Sequence, residues 1–229
     1  MTEKKIKIKI VAVLLAGGQS RRMGGGDKCL QKLANKALLS HVINRIRPQV
    51  DCMIINANGD PKRFSEFGLE VVPDVVSGQL GPLAGILTGL DWVSSRAPNI
   101  EWIVSIPTDA PFLPSDLVKR LFLAAEIAAG KNCFDLDQTQ FPSNGDIAAC
   151  VASLGRRHPV IGLWPVASRM EMRRKLLEDD IRKIDIFTEK MKLGVAEFDP
   201  INGTSDPFLN INSPNDLVEA ERILKQEFF

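Results

Sequence analysis

Apolar and polar positions fall into blocks along the first half of the chain. Ile10 to Leu15 form an unbroken apolar, β-branched run, and Ile103 to Ile106 form a second run of similar character. Such runs read as strands buried on both faces of a parallel sheet. Leu38, Leu39, Val42, Ile43 and Ile46 instead recur at helical spacing, with Arg45 and Arg47 off that face. The blocks predict strands at 10–15, 52–57, 69–72 and 100–106, and helices around 36–47, 61–66 and 82–96. Strand and helix in alternation imply parallel strands joined by helical crossovers, a doubly wound, mostly parallel, Rossmann-like α/β sheet.

The second half is less regular. Pro114 suits the first turn of a helix running to about Ala129, and Gly130 is placed to end it. Asp135 to Gly145 is polar, holds Pro142 and Asn144, and reads as a mobile loop between two strands. Ser213, Pro214 and Asp216 supply a cap, a first-turn proline and an acidic group for a last helix. Without repeat, linker or low-complexity segment, residues 1–229 read as one domain with a core at about 9–226, a length that buries one sizeable core.

Charge changes this picture little. With 29 Lys plus Arg against 28 Asp plus Glu, the net charge of +1 gives no reason to expect nucleic acid or an anionic membrane as partner. Cys29, Cys52, Cys133 and Cys150 are too far apart for a zinc knuckle or a Cys-x-x-Cys pair and too few for a disulfide scaffold, which points to a reduced, cytoplasmic protein. Lys4, Lys5, Lys7 and Lys9 before the first apolar run imitate a secretory signal, but the run is short and Arg21-Arg22 follow it in place of a cleavage site. No apolar segment approaches membrane-spanning length.

Candidate chemistry starts where the first strand empties into Gly17-Gly18-Gln19-Ser20-Arg21-Arg22-Met23-Gly24-Gly25-Gly26-Asp27-Lys28. Glycines let an anion approach backbone N–H groups, and Arg21, Arg22 and Lys28 add positive charge, so the loop suits phosphates. Neither Gly-x-x-x-x-Gly-Lys-Ser/Thr nor Gly-x-Gly-x-x-Gly fits, and a Gly-x-Ser-x-Gly nucleophile elbow lacks its second glycine. In an open parallel sheet, ligands collect at the carboxyl ends of strands near the switch in strand order. Asn56, Asp74 and Asp109 all follow predicted strands and would converge there with the loop.

Asp109, just beyond Pro107-Thr108, sits where Mg²⁺ would bridge a carboxylate and a triphosphate. Lys28 would oppose the charge that builds on departing pyrophosphate, with Arg22 assisting. The Asn56 amide has a donor and an acceptor with which to read a base edge, whereas Asn58-Gly59 reads as a turn. Gly81 to Gly85 suits close approach of a ligand to a helix start. Asn210 and Asn212 alternate with Leu209 and Ile211, which predicts a strand with both amides on one side. Only His41 and His158 are present, which argues against a multi-histidine metal site; His41 reads as structural, and His158 as either structural or acceptor-binding. Arg156, Arg157, Arg182 and Lys183 offer charge for an anionic phosphate.

Taken in order, these segments resemble the molybdenum cofactor guanylyltransferase family. The first loop is similar to its Leu-Ala-Gly-Gly-x-Ser-x-Arg-Met-Gly-x-Asp-Lys signature. Asn56-Ala57-Asn58, Pro73-Asp74, Gly81-Pro82-Leu83-Ala84-Gly85, Pro107-Thr108-Asp109-Ala110-Pro111-Phe112, Arg157-His158-Pro159 and Asp206-Pro207-Phe208-Leu209-Asn210-Ile211-Asn212 follow in sequence. The resemblance implies a nucleotide-diphospho-sugar transferase type of fold. It also implies GTP binding by Leu15, Ala16, Gly17, Lys28, Asn56, Asp74 and Asp109, with Mg²⁺ on Asp109. Gly81, His158, Arg182, Lys183, Asn210 and Asn212 then fall to the acceptor, molybdenum-molybdopterin, with a second metal contact as the alternative for Asn210 and Asn212. GMP would pass from GTP to the acceptor phosphate with release of pyrophosphate, and other cofactor-biosynthesis or molybdoenzyme-maturation proteins are further expected partners. Two departures, Asn35-Lys36-Ala37 for the usual Gly-Lys-Pro and the absence of tyrosine, touch substrate fit more than catalysis. A CMP-transferring relative and a non-catalytic nucleotide-binding partner protein remain open on sequence alone.

Overall fold

The computed structural model describes residues 9–17, 26–78, 80–130 and 145–227. The chain opens with β1 (Ile10–Leu15), whose residues are almost wholly buried. A small hairpin follows, β2 (Lys32–Leu33) with β3 (Lys36–Ala37), and leads into helix α1 (Leu38–Ile46). The helix expected from residue 36 starts at 38 because Ala34 and Asn35 both take positive φ, the two-residue turn that closes a hairpin. Then come β4 (Cys52–Asn56), β5 (Glu70–Val72), α2 (Pro82–Arg96), β6 (Trp102–Pro107) and α3 (Leu117–Ala128). A short 3-10 helix, Pro61–Phe67, stands where a short helix was expected.

Helix α3 starts three residues later than Pro114 suggests. Gln49, beyond the end of α1, accepts the Val118 N–H at 3.0 Å and donates to the Pro114 carbonyl at 2.9 Å, so its cap comes from another part of the chain. Gly130 at φ +77° closes it, as expected. The expected loop at 135–145 falls outside the described residues except Gly145. The remainder comprises β7 (Ile147–Ser153), β8 (Arg156–Pro165), α4 (Arg169–Leu177), α5 (Ile184–Thr188), β9 (Lys192–Phe198) and α6 (Pro214–Glu227). Ser213 Oγ accepts the Asp216 N–H at 3.3 Å, the cap read from the sequence, and Asp216 accepts the Ser213 N–H at 2.8 Å in return, which makes the cap reciprocal.

Seven strands form one sheet in the order β5-β4-β1-β6-β8-β7-β9. All pairs are parallel except those made by β8, which runs against both β6 and β7. Successive side chains of β1 point to opposite faces, and the core divides accordingly. Ile10, Ala12 and Leu14 pack with α1 and α3, whereas Val11 and Val13 pack with α2, α4 and α5. A third cluster, with Leu33, Leu38, Phe112, Ile211, Ala220 and Ile223, seats α6 against the hairpin and the segment after β6.

At the seam where β6 meets the reversed β8, the fully buried Trp164 donates its indole N–H to Ser105 Oγ at 2.8 Å. That hydroxyl donates to the Val160 carbonyl at 2.6 Å. From β1 the chain moves first to β4 and β5 on one side, then returns to β6 on the other. The carboxyl ends of β1, β4 and β6 therefore flank the topological switch.

Candidate active site at the strand switch

A cavity of about 820 Å³ opens at these strand ends. Its walls include Leu15, Ala16 and Gly17 after β1, Asn56 at the end of β4, Asp74 after β5, Gly81 before α2, and Asp109 after β6. Pairing holds the walls in register: the Ala16 N–H donates to the Asn56 carbonyl at 2.9 Å, and the Thr108 hydroxyl to the Leu15 carbonyl at 3.1 Å. Gly81 has φ +76°, a conformation that a residue with a Cβ adopts only under strain, and Pro82 occupies the first position of α2 behind it. The N-terminus of a fifteen-residue helix thus faces the cavity at a point that glycine keeps open.

The charged centre lies at the β6 end. Lys28 Nζ donates to both Asp109 Oδ2 and Asn212 Oδ1. The Lys28 side chain is 13% exposed and that of Asp109 21%, so the pair is half-dry but reachable from the cavity. Asn212 arrives from 184 residues away, and three contacts bring it there. Ile211, fully buried under α6, donates its N–H to the Asp109 carbonyl at 2.9 Å, and the Asn212 N–H donates to Asp216 Oδ2 at 2.8 Å. Burial pushes the Asp216 carboxyl up. The Asn212 N–H, the Ser213 hydroxyl and N–H, and the nearby Lys28 charge outweigh it and hold that carboxyl below the usual carboxylate range.

Residues 209–212 do not form the expected strand. They are tied down singly by the Asp109 carbonyl and the α6 cap, so no strand alternation brings the two amides together; Asn212 reaches Lys28, whereas exposed Asn210 offers its carbonyl to Asn212 Nδ2 at 3.3 Å. Buried Cys29, next to Lys28, is no rival nucleophile, because burial foremost, with the Asp27 charge, pushes its thiol up to about 12.

The opposite end is built around Asp74. Asn56 Nδ2 donates to Asp74 Oδ1 at 2.9 Å and to the Val72 carbonyl at 3.2 Å, so the donors expected to read a base edge are both engaged within the protein. Asn58, expected only in a turn, also binds Asp74, and Arg63, which no motif marked, lines the wall beside it. Asn58 ends the Asn56-Ala57-Asn58 match, but its place before Gly59 read as a turn; Arg63 has the composition of an ordinary surface position, so local sequence carried no signal for it.

The expected acceptor residues scatter. His158 lies beside the cavity rather than in its wall. Its Nε2 is 2.9 Å from Ser153 Oγ, which donates to Asp206 Oδ1 at 2.6 Å, and its ring is 5.2 Å from that of Phe208. Burial lowers its pKa, opposed by the Asp206 charge and aided by that of Arg156. Arg182 is exposed and paired with Asp180, although its carbonyl backs Gly81; Lys183 is exposed just before α5. Arg22 lies outside the described residues. His41 bonds the Leu33 carbonyl at 2.9 Å, a structural role as expected.

No group of three or more His, Cys, Asp or Glu that could hold a metal occurs among the described residues. What does occur is a pair of hard oxygen donors, Asp109 Oδ2 and Asn212 Oδ1, converging on one positive charge. Mg²⁺ is commonly held by one or two carboxylates plus substrate phosphates, so this donor set fits it. Among the described residues no helix is long and apolar enough to cross a membrane.

The family described as the MobA-like NTP transferase domain matches residues 12–190. A protein named molybdenum cofactor guanylyltransferase from Rhodopseudomonas palustris (strain BisB5) is 51% identical over 212 residues, covering 93% of this chain and 92% of its own. One of the same name from Bradyrhizobium sp. (strain ORS 278) is 46% identical over 218 residues, covering 95% and 94%. The crystal structure of molybdopterin-guanine dinucleotide biosynthesis protein A from Archaeoglobus fulgidus superimposes with a TM-score of 0.65. It is 24% identical and covers 95% of this chain and 99% of its own.

Proposed function

The chain belongs to the MobA-like NTP transferase family, and from that premise we propose that it transfers GMP from GTP to the terminal phosphate of molybdenum-molybdopterin, releasing pyrophosphate. Its fold is the mostly parallel α/β sheet of the nucleotide-diphospho-sugar transferases. The observation that carries the assignment to this site is the convergence of Lys28, Asp109 and Asn212 at one end of a nucleotide-sized cavity at the strand switch.

The sheet supports one orientation of the nucleotide. Asp109 follows β6, while Asp74 follows β5, three strand spacings or roughly 14 Å across the sheet. That span separates a triphosphate from its base. On this reading the phosphates lie at the Lys28 end and the base at the Asp74 end. Leu15, Ala16 and Gly17 line the cavity between the two ends. Asp109 and Asn212 would hold Mg²⁺, which supplies charge neutralisation to the triphosphate when bound.

An acceptor phosphate is already ionised, so the reaction demands no general base. The protein's task reduces to alignment and to stabilising negative charge as pyrophosphate leaves, with Lys28 and Arg22 as the cations. Of the residues expected to hold the acceptor, Gly81 in the cavity wall and Asn212 on Lys28 are the two that adjoin the site, and the acceptor reading rests on them. A cytoplasmic setting accords with the free thiols of Cys29, Cys52 and Cys150.

The test is pyrophosphate release and dinucleotide formation from GTP and molybdenum-molybdopterin, titrated with Mg²⁺, for wild type and Asp109→Asn. Wild type should turn over GTP in preference to CTP. The variant, which keeps the shape but loses the charge, should fold with an unchanged melting temperature and need more Mg²⁺ for a slower reaction. Preference for CTP would reject the guanylyl assignment, and an unaltered Mg²⁺ dependence would remove Asp109 from the metal site.

A further inference from the structure

Asn58 and Arg63 line the cavity, and neither belongs to the Lys28 centre. Asn58 is bound to Asp74 twice: its Nδ2 donates to Asp74 Oδ2 at 2.8 Å, and its Oδ1 accepts the Asp74 N–H at 2.9 Å. Its carbonyl in turn accepts from Arg63 Nη2. Arg63 Nη1 donates to the Asp60 carbonyl at 2.6 Å, and Arg63 Nε lies 2.6 Å from Asp27 Oδ2, the residue before Lys28. The guanidinium rests over the ring of Phe64, 4.6 Å from its centroid, and Phe64 is fully buried. A continuous polar strap therefore runs from the phosphate end to the base end, anchored in the core at its middle.

At the base end the strap fixes a carboxylate. Asn56 donates to one oxygen of Asp74 and Asn58 to the other, which locks rotation about the Cβ–Cγ bond and leaves each oxygen further lone-pair capacity. A carboxylate so fixed can accept two parallel hydrogen bonds from adjacent donors. Guanine presents that pattern with N1–H beside its exocyclic amine, whereas cytosine presents an amine beside an acceptor that a carboxylate repels.

Resting on the GTP assignment above, we infer that Asn58, held by Arg63, is a positioning residue for base selectivity, acting through the carboxylate of Asp74. Removing Asn58 frees Asp74 to rotate, and discrimination between bases falls while the phosphate contacts persist.

The experiment measures binding of GTP, inosine triphosphate and CTP, each with Mg²⁺, by calorimetry. Inosine triphosphate lacks only the exocyclic amine. Wild type should prefer GTP over inosine triphosphate by on the order of tenfold to a hundredfold, the value of one charge-assisted hydrogen bond. Asn58→Ala should bring that ratio to within about threefold by weakening GTP, which loses two bonds to the carboxylate, more than inosine triphosphate, which loses only its N1–H bond. Arg63→Lys, which keeps the charge but loses the forked donor, should fall between the two. Asn58→Ser, with a hydroxyl too short to reach the carboxylate, provides the same readout should the alanine variant fail to fold. If these variants weaken all three nucleotides alike and keep the ratio, Asn58 is structural only and the inference is overturned. If Asp74→Ala leaves the wild-type ratio intact, or wild type prefers CTP, the base assignment itself fails instead.

Discussion

Lys28 answers to two oxygens that the sequence keeps 81 and 184 residues away from it, and its ammonium is where they meet. Paired and mostly buried, it contributes little to stability, because partial desolvation offsets much of the attraction. Its effect on the reaction is larger, since the same charge faces the phosphates as negative charge develops. Lys28→Ala should therefore change the melting free energy by about 1 kcal/mol or less while lowering turnover on the order of 10²-fold. Calorimetric melting alongside pyrophosphate release checks both halves, and near-normal turnover would remove Lys28 from the phosphate site. Of this centre, Asp109 and Lys28 were legible because each follows a recognisable strand or loop. The bond from Asn212 was not, since it depends on how α6 docks, and periodicity carries no information about docking.

Helix α2 lies unusually close to the sheet, and two glycines set that distance. A Cβ on Gly85 would stand 2.3 Å from Asn56 Oδ1 and 2.6 Å from Leu15 Cδ2, and one on Gly89 would stand 2.2 Å from Val13 Cγ2. Neither neighbour yields easily, for Asn56 is pinned by two hydrogen bonds and Val13 is a buried, β-branched residue. Alanine at either position gains up to about 1 kcal/mol of helix propensity but overpacks the interface, which costs about 1–3 kcal/mol. Both Gly85→Ala and Gly89→Ala should be destabilised in urea melts. Only Gly85→Ala, which presses on a cavity wall, should also weaken GTP, and equal GTP affinity in the two variants would contradict this account. The helix itself was plain in the sequence, with bounds of 82–96 read and found, yet the meaning of its glycines appeared only once the facing strand was known.

As a whole, the molecule is a three-layer α/β/α sandwich whose parallel half was written in alternating blocks of apolar residues. Its other half was harder to read. The reversal of β8 leaves no mark in a strand that is apolar on either heading, and the strap through Asn58 and Arg63 is made of residues that look like any turn. That reversed strand also makes the molecule report on itself. The chain has three tryptophans and no tyrosine, so its ultraviolet emission comes from indole alone. Trp164 is a dry, fully buried chromophore wired through the Ser105 hydroxyl to the carbonyl of Val160, a residue of the cavity wall. A ligand that shifts Val160 alters the polar partner of that indole and with it the colour and yield of its light. Adding nucleotide should change emission in wild type and in Trp92→Phe but not in Trp164→Phe, giving a label-free optical signal of occupancy. A response that survives loss of Trp164 would show that the seam does not transmit it.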